Sequence, residues 1–233
     1  ESNVMSQRHP GARRASHNSP SDPEDAFLAG IFEFTTWAKG NQQVLTVATV
    51  VGAILVAGGF YYNSYRGQLN TQAAQQLEVI HQSISIRDTE GAKIDLATFL
   101  DRFGGTVFEG EARLILGELY LESNDPQQAV AVLEPLSVTP REPIEFQGAA
   151  LLGVAYEQDG RWDDAVDVYL TIAARSDLDF QIRDARTAAA RISTDQGDID
   201  GAIELYEDLL AELDDNAPER GMYEMRIAEI RRD

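Results

Sequence analysis

LGELYLESNDPQQAVAVLEPL, residues 116–136, holds the pattern on which the fold turns, and the chain repeats it at 152–172 as LGVAYEQDGRWDDAVDVYLTI. In the first copy Leu116-Gly117 and Tyr120 are followed nine residues later by Ala129, then by Leu133 and Leu136. In the second, Leu152-Gly153 and Tyr156 are followed nine residues later by Ala165, then Tyr169 and Ile172. A fainter third copy has Ala189-Ala190, Ala202, Tyr206 and Leu209, with Ser193 where the Tyr is expected. The anchoring alanines are 36 and 37 residues apart, and the turn positions Asn124, Gly160 and Gly197 align with them. Self-similarity at such a period marks one supersecondary unit, here a helical hairpin, stacked in series.

The pattern resembles the tetratricopeptide repeat. In that unit a Gly or Ala on each helix lets the pair approach closely, while the Tyr and a later aromatic fill the gap between neighbouring units. Each copy here is two or three residues longer than the 34-residue consensus, which predicts longer connections and a less regular superhelix. The fold class expected is all-α, a tetratricopeptide-like solenoid of antiparallel helix pairs over residues 106–217. Residues 218–233, with Glu and Arg on the exposed face, read as the polar capping helix that a stacked array needs. Before the repeats, residues 67–105 read as a separate first hairpin. Its first helix carries a stripe at Ala73, Leu77, Ile80 and Ile84, and its second ends at Gly104-Gly105.

Upstream the solvent changes. From Asn41 to Tyr65 there is no charged residue, and the 19 residues Val44–Tyr62 are apolar apart from Thr46 and Thr49. At the helical rise they cover roughly 28 Å, close to a bilayer's hydrocarbon thickness. A cleavable signal is shorter and ends at small residues, whereas this stretch ends in Phe60, Tyr61, Tyr62 and Tyr65. Those aromatics, with Trp37 and Lys39 on the other side, read as interfacial anchors of an uncleaved span over 41–66. Within it Ala48, Thr49, Gly52, Ala53 and Ala57 offer small faces for packing on another helix. Residues 22–40, capped by Asp22 and Pro23, read as an amphipathic helix on the membrane surface. Residues 1–21 contain little to bury and read as a disordered or partner-held tail.

Charge is unevenly placed. Five acids and five bases lie up to Arg66, so the whole net charge of −20 falls on residues 67–233, with 34 acids against 14 bases. Such a domain is repelled by phosphate backbones, which argues against nucleic-acid binding. Lys39, Arg13, Arg14 and Arg8 precede the span, while Arg66 stands alone until Arg87, a bias that places the amino terminus in the cytoplasm.

No nucleophile elbow, phosphate-binding glycine loop or His pair at ligand spacing is present, and with no Cys there is no thiolate site. No catalytic residue, metal site or cofactor is therefore expected. The segment Asp195–Gly201 lacks a register with calcium-loop acids and reads as a turn with helix-capping acids. Placing the repeat consensus on these copies puts Glu111, Leu114, Glu118, Glu122, Gln147, Ala150, Val154 and Glu157 on the concave face, with Asp184 and Arg191 from the third copy. This acidic face is expected to contact basic or mixed segments of partner proteins.

The order of an acid-capped amphipathic helix, one span, an aromatic edge and acidic repeats resembles the YfgM-type family of bacterial inner-membrane proteins. The resemblance implies a non-enzymatic accessory subunit, anchored once, with a periplasmic repeat domain. Its span would meet membrane-complex subunits and the lipid bilayer, and its repeats would meet soluble or periplasmic proteins. The alternative reading is a permanent structural subunit of a large photosynthetic or respiratory complex.

Overall fold

The computed structural model describes residues 37–137 and 139–232, so the expected tail and nearly all of the expected interfacial helix lie outside the described residues. The described residues form helices α1 (Gln42–Ser85), α2 (Thr89–Phe103), α3 (Glu109–Glu122), α4 (Pro126–Ser137), α5 (Pro143–Asp159), α6 (Trp162–Arg175), α7 (Asp179–Asp195), α8 (Ile199–Glu212) and α9 (Arg220–Ile230). No strand occurs among them. The chain divides into two compact units, residues 1–62 and 63–233.

Among the described residues of the first unit, none buries an apolar side chain of α1. The apolar window is wholly unburied, with Val47, Ile54, Leu55 and Val56 each more than 60% exposed. By length and composition α1 is a candidate membrane span. A row of this many bare aliphatic side chains is unfavourable in water, since each would gain roughly 1.5–3 kcal/mol from burial.

The second unit is a set of helix pairs stapled by one recurring turn. After each leading helix the chain enters the left-handed region at Arg87 (φ 62°), Asn124 (φ 56°), Gly160 (φ 75°) and Gly197 (φ 81°). At each, the next residue's N–H returns to a carbonyl five residues back: Asp88 to Ser83, Asp125 to Tyr120, Arg161 to Tyr156, and Asp198 to Ser193, all at 2.8–3.1 Å. This is the Schellman closure, which satisfies carbonyls that the helix end leaves without partners. Asp88 and Asp198 then cap the following helices by accepting from the N–H groups of Gly91 and Gly201. A Cβ on either glycine would lie within 2.4 Å of the capping carboxylate, so Gly leaves the Asp side chain free to hold its capping position. Asp198 thus serves this turn as the cap of α8.

The turns reveal a repeat that the sequence pattern hides. Arg87 precedes Asn124 by the same 37 residues that separate Gly160 from Gly197. Ala92 stands 37 residues before Ala129 and, like Ala129, Ala165 and Ala202, is fully buried. The second half of α1 and α2 are therefore a pair in register with those that follow, although Ile80 and Ser83 stand at the places of Gly117 and Tyr120. Arg87 holds the left-handed position at a cost of about 1 kcal/mol that glycine would not incur. Arg87→Gly should stabilise the protein by roughly 0.5–1 kcal/mol, measured as a raised urea midpoint at unchanged slope.

The motif glycines sit where neighbouring helices touch. A Cβ on Gly117 would meet Leu133 at 2.7 Å, and one on Gly153 would meet the Tyr169 ring at 2.6 Å. Ala190 holds the matching place in the third copy and is fully buried. Arg113 adds a polar tie, donating to the Val132 carbonyl at 3.1 Å and to Glu109 at 2.9 Å. The Gly105 N–H, with help from Arg113, holds the Glu109 carboxyl below its ordinary range. Three apolar clusters run along the stack: α1–α2–α3, then α3 to α7, then α7–α8–α9.

Candidate protein-binding face

The leading helices of successive pairs are the second half of α1, α3, α5 and α7, followed by α9. Their unburied side chains define the face on which the sequence places partner contacts. Glu118 and Glu122 of α3, Gln147, Ala150 and Val154 of α5, and Asp184 of α7 are exposed. Among the described residues neither Glu118 nor Glu122 takes part in an ion pair, so both carboxylates are open to a partner.

Three of the predicted face residues are placed otherwise. Leu114 is only 9% exposed and belongs to the core with Ala129, Leu133, Ala149 and Leu152. It is buried because α3 is covered by both α4 and α5, so it cannot form part of a surface. Glu157 is half-buried and already engaged. It accepts from the Tyr169 hydroxyl at 2.8 Å and from Arg191 of the next pair at 2.6 Å. Burial, reinforced by that hydrogen bond to Glu157, raises the pKa of the Tyr169 phenol and keeps it protonated. Glu111 faces His81 of the first pair at 3.4 Å. Glu157 thus cross-links leading helices about one repeat apart, a use that charge counting along the sequence does not separate from partner binding.

A cleft of about 580 Å³ also opens between α7 and α9. Thr187 and Arg191 form one wall, Tyr223 and Arg226 the other, and Tyr206 closes it from α8. The Thr187 and Tyr223 hydroxyls stand 3.3 Å apart within it, and Arg226 is paired with Glu229 at 3.0 Å. The face therefore runs from acidic at α3 to mixed at its C-terminal end. Sequence reading missed this cleft, since only the docking of α9 brings Tyr223 and Arg226 opposite α7.

A family model described as a tetratricopeptide repeat-like domain matches residues 35–232. The chain belongs to this tetratricopeptide repeat-like family. The match takes in the apolar helix as well as the stacked pairs. Solved structures agree on the fold. The nearly identical TPR-like repeats of a chain assigned as a Podosopora anserina kinesin light chain superpose with TM-score 0.52 at 20% identity, covering 70% of this chain and 87% of that one. A variant of those repeats with one Gln replaced by Met gives TM-score 0.52 at 20% identity, with 70% and 86% covered. At that identity the likeness speaks for architecture alone. Comparison with curated protein sequences finds no match. The tetratricopeptide-like fold is that of a protein-interaction module, and no enzymatic family matches.

Proposed function

We propose that the protein is a membrane-anchored, non-enzymatic scaffold that assembles partner proteins on its tetratricopeptide-like repeats. The observation that carries the reading is α1 itself. A single helix joins an uncovered, uncharged apolar stretch to the first repeat pair without a break, and the family match begins at residue 35, ahead of that stretch. The bilayer is the solvent that makes such a stretch favourable. Trp37 and Lys39 on one side, and Phe60, Tyr61, Tyr62 and Tyr65 on the other, suit its two interfaces. Ala48, Thr49, Gly52, Ala53 and Ala57 leave room for a neighbouring membrane helix.

In this reading the amino terminus is cytoplasmic and the repeats are periplasmic, as in the YfgM-type inner-membrane proteins that the sequence resembles. Partners are membrane-complex subunits through the span and soluble proteins with basic or mixed segments through Glu118, Glu122, Gln147, Val154 and Asp184. Glu157 positions the leading helices. Sedimentation with membranes after alkaline extraction, combined with a carboxy-terminal reporter active only outside the cytoplasm, tests anchor and orientation together. A soluble chain would end the anchor reading; a silent reporter on a membrane-bound chain would end only the orientation.

The partner surface has its own test. Glu118→Lys with Glu122→Lys reverses two exposed charges and leaves every buried contact in place, so the fold should persist. Recovery of partner proteins in native pull-downs should drop several-fold. Unchanged recovery would remove the α3 end of the face from the binding surface.

A further inference from the structure

Beyond the anchor, one face of α1 has no cover and no charge. Tyr65, Gln68, Gln72, Gln75, Val79 and Gln82 follow one another at alternating steps of three and four residues, and Ile86 continues the series just past the helix end. All seven are exposed, with Tyr65 at 53%, Val79 at 51% and Ile86 at 79%. The opposite side of the helix carries Ala73, Leu77 and Ile80, which are buried against α2 and α3. Steps of three and four are the heptad spacing of a two-helix seam, and the drift of such a stripe around a straight helix is what a left-handed supercoil takes up.

The chemistry of the stripe points to its occupant. From Tyr65 to Ile86 the charged or titratable side chains besides Tyr65 are Arg66, Glu78 and His81, and none lies on the stripe. Residues after Arg66 carry 34 acids and 14 bases, so two copies repel one another over most of their surface. An uncharged face is where they can meet. Across a two-fold interface each residue near the axis meets itself, which penalises a carboxylate or an ammonium. A Gln amide has both donors and an acceptor and can satisfy its own copy. The four glutamines are thus self-complementary, while Tyr65, Val79 and Ile86 supply the apolar contact.

We propose that the protein pairs with a second copy of itself through the Tyr65–Ile86 stripe, as a parallel two-helix coiled coil. The proposal rests on the anchor reading, because insertion of both copies in one direction sets the helices parallel and confinement to the membrane raises their effective concentration.

Because the chain has no cysteine, single cysteines report contacts without background. Gln68→Cys, Gln72→Cys, Gln75→Cys and Gln82→Cys lie on the stripe; Gly67→Cys and His81→Cys are exposed controls on the same helix, off it. A disulfide needs Cα atoms within about 7 Å. Mild oxidation of isolated membranes should therefore convert the four stripe variants to a dimer of twice the chain mass, at least tenfold faster than the controls. Adding Gln75→Lys and Val79→Lys to the Gln68→Cys variant places like charges across the seam and should abolish that dimer. Equal rates at stripe and control positions, absence of dimer, or a crosslinked product of another mass would overturn the pairing. Alkaline extraction of the same membranes separates the two ideas: a chain that stays in the pellet without stripe-specific dimer refutes the pairing alone, and one released to the supernatant refutes the anchor and with it the parallel seam.

Discussion

Val51→Arg combined with Ile54→Arg should leave the protein in the soluble or aggregated fraction of a lysate, whereas under the proposed anchoring the parent chain should sediment with membranes and resist alkaline extraction. Both residues lie within the uncharged stretch and are exposed, Val51 at 49% and Ile54 at 65%, so neither substitution falls in a buried core of the described residues. Each arginine near the middle of a span costs about 2.5–3.5 kcal/mol on insertion, and the pair together roughly 5–7 kcal/mol, a factor of about 10⁴–10⁵ in partition. The repeats have their own apolar clusters beginning at Ala73, and helical circular dichroism with cooperative melting should survive in the released protein. Membrane retention of the double variant would show that something other than this stretch holds the chain there.

The second large effect falls on the first repeat. Phe99 is 1% exposed, and its ring centroid lies 4.9 Å from that of Phe103. Around it are Ala73, Leu77 and Ile80 of α1 and Ala112, Leu116 and Leu119 of α3. Phe99→Ala removes the largest fully buried side chain of that cluster and should cost about 3–5 kcal/mol. Stacked repeats share energy mainly with their neighbours, so the loss should be local. Amide exchange should accelerate strongly in the second half of α1 and in α2, while α6 to α8, built on separate clusters, keep their protection. Uniform acceleration along the chain would instead mean that the repeats open as one cooperative body.

Both experiments rest on features of different legibility. The apolar stretch could be read from the sequence because length and absence of charge are properties of the segment alone. The repeat architecture could be read at Gly117 and Gly153, where close approach admits no bulk: a Cβ there would lie within 2.8 Å of Leu133 or of the Tyr169 ring. The first pair was harder. Ile80 and Ser83 erase the Leu-Gly-x-x-Tyr signature, and Arg87 occupies a turn that elsewhere takes Asn or Gly. Only the recurrence of the turn hydrogen bonds and the burial of Ala92 show that residues 67–105, read in sequence as a separate hairpin, stack in register with the repeats.

The candidate surface divides along the same line. Glu118, Gln147, Val154 and Asp184 stand exposed on leading helices, positions that the repeat consensus assigns to the concave face. Leu114 is covered and Glu157 is engaged because of what α4, α5, α6 and α7 bring to them. The α7–α9 cleft exists only once the last helix has docked.

What the chain determined by itself was local: which segments are helical, where the turns at Asn124, Gly160 and Gly197 fall, and which stretch is long and apolar enough to be a candidate span. These follow from the 3.6-residue period, from capping and from the hydrophobic effect, each acting within a few turns of helix. What the tertiary structure decided was which face of each helix meets a neighbour. That choice separates Glu157, an acid that ties two repeats together, from Glu118, an acid open to a partner, because burial and pairing depend on side chains some 30 residues away that spacing along the chain does not bring together.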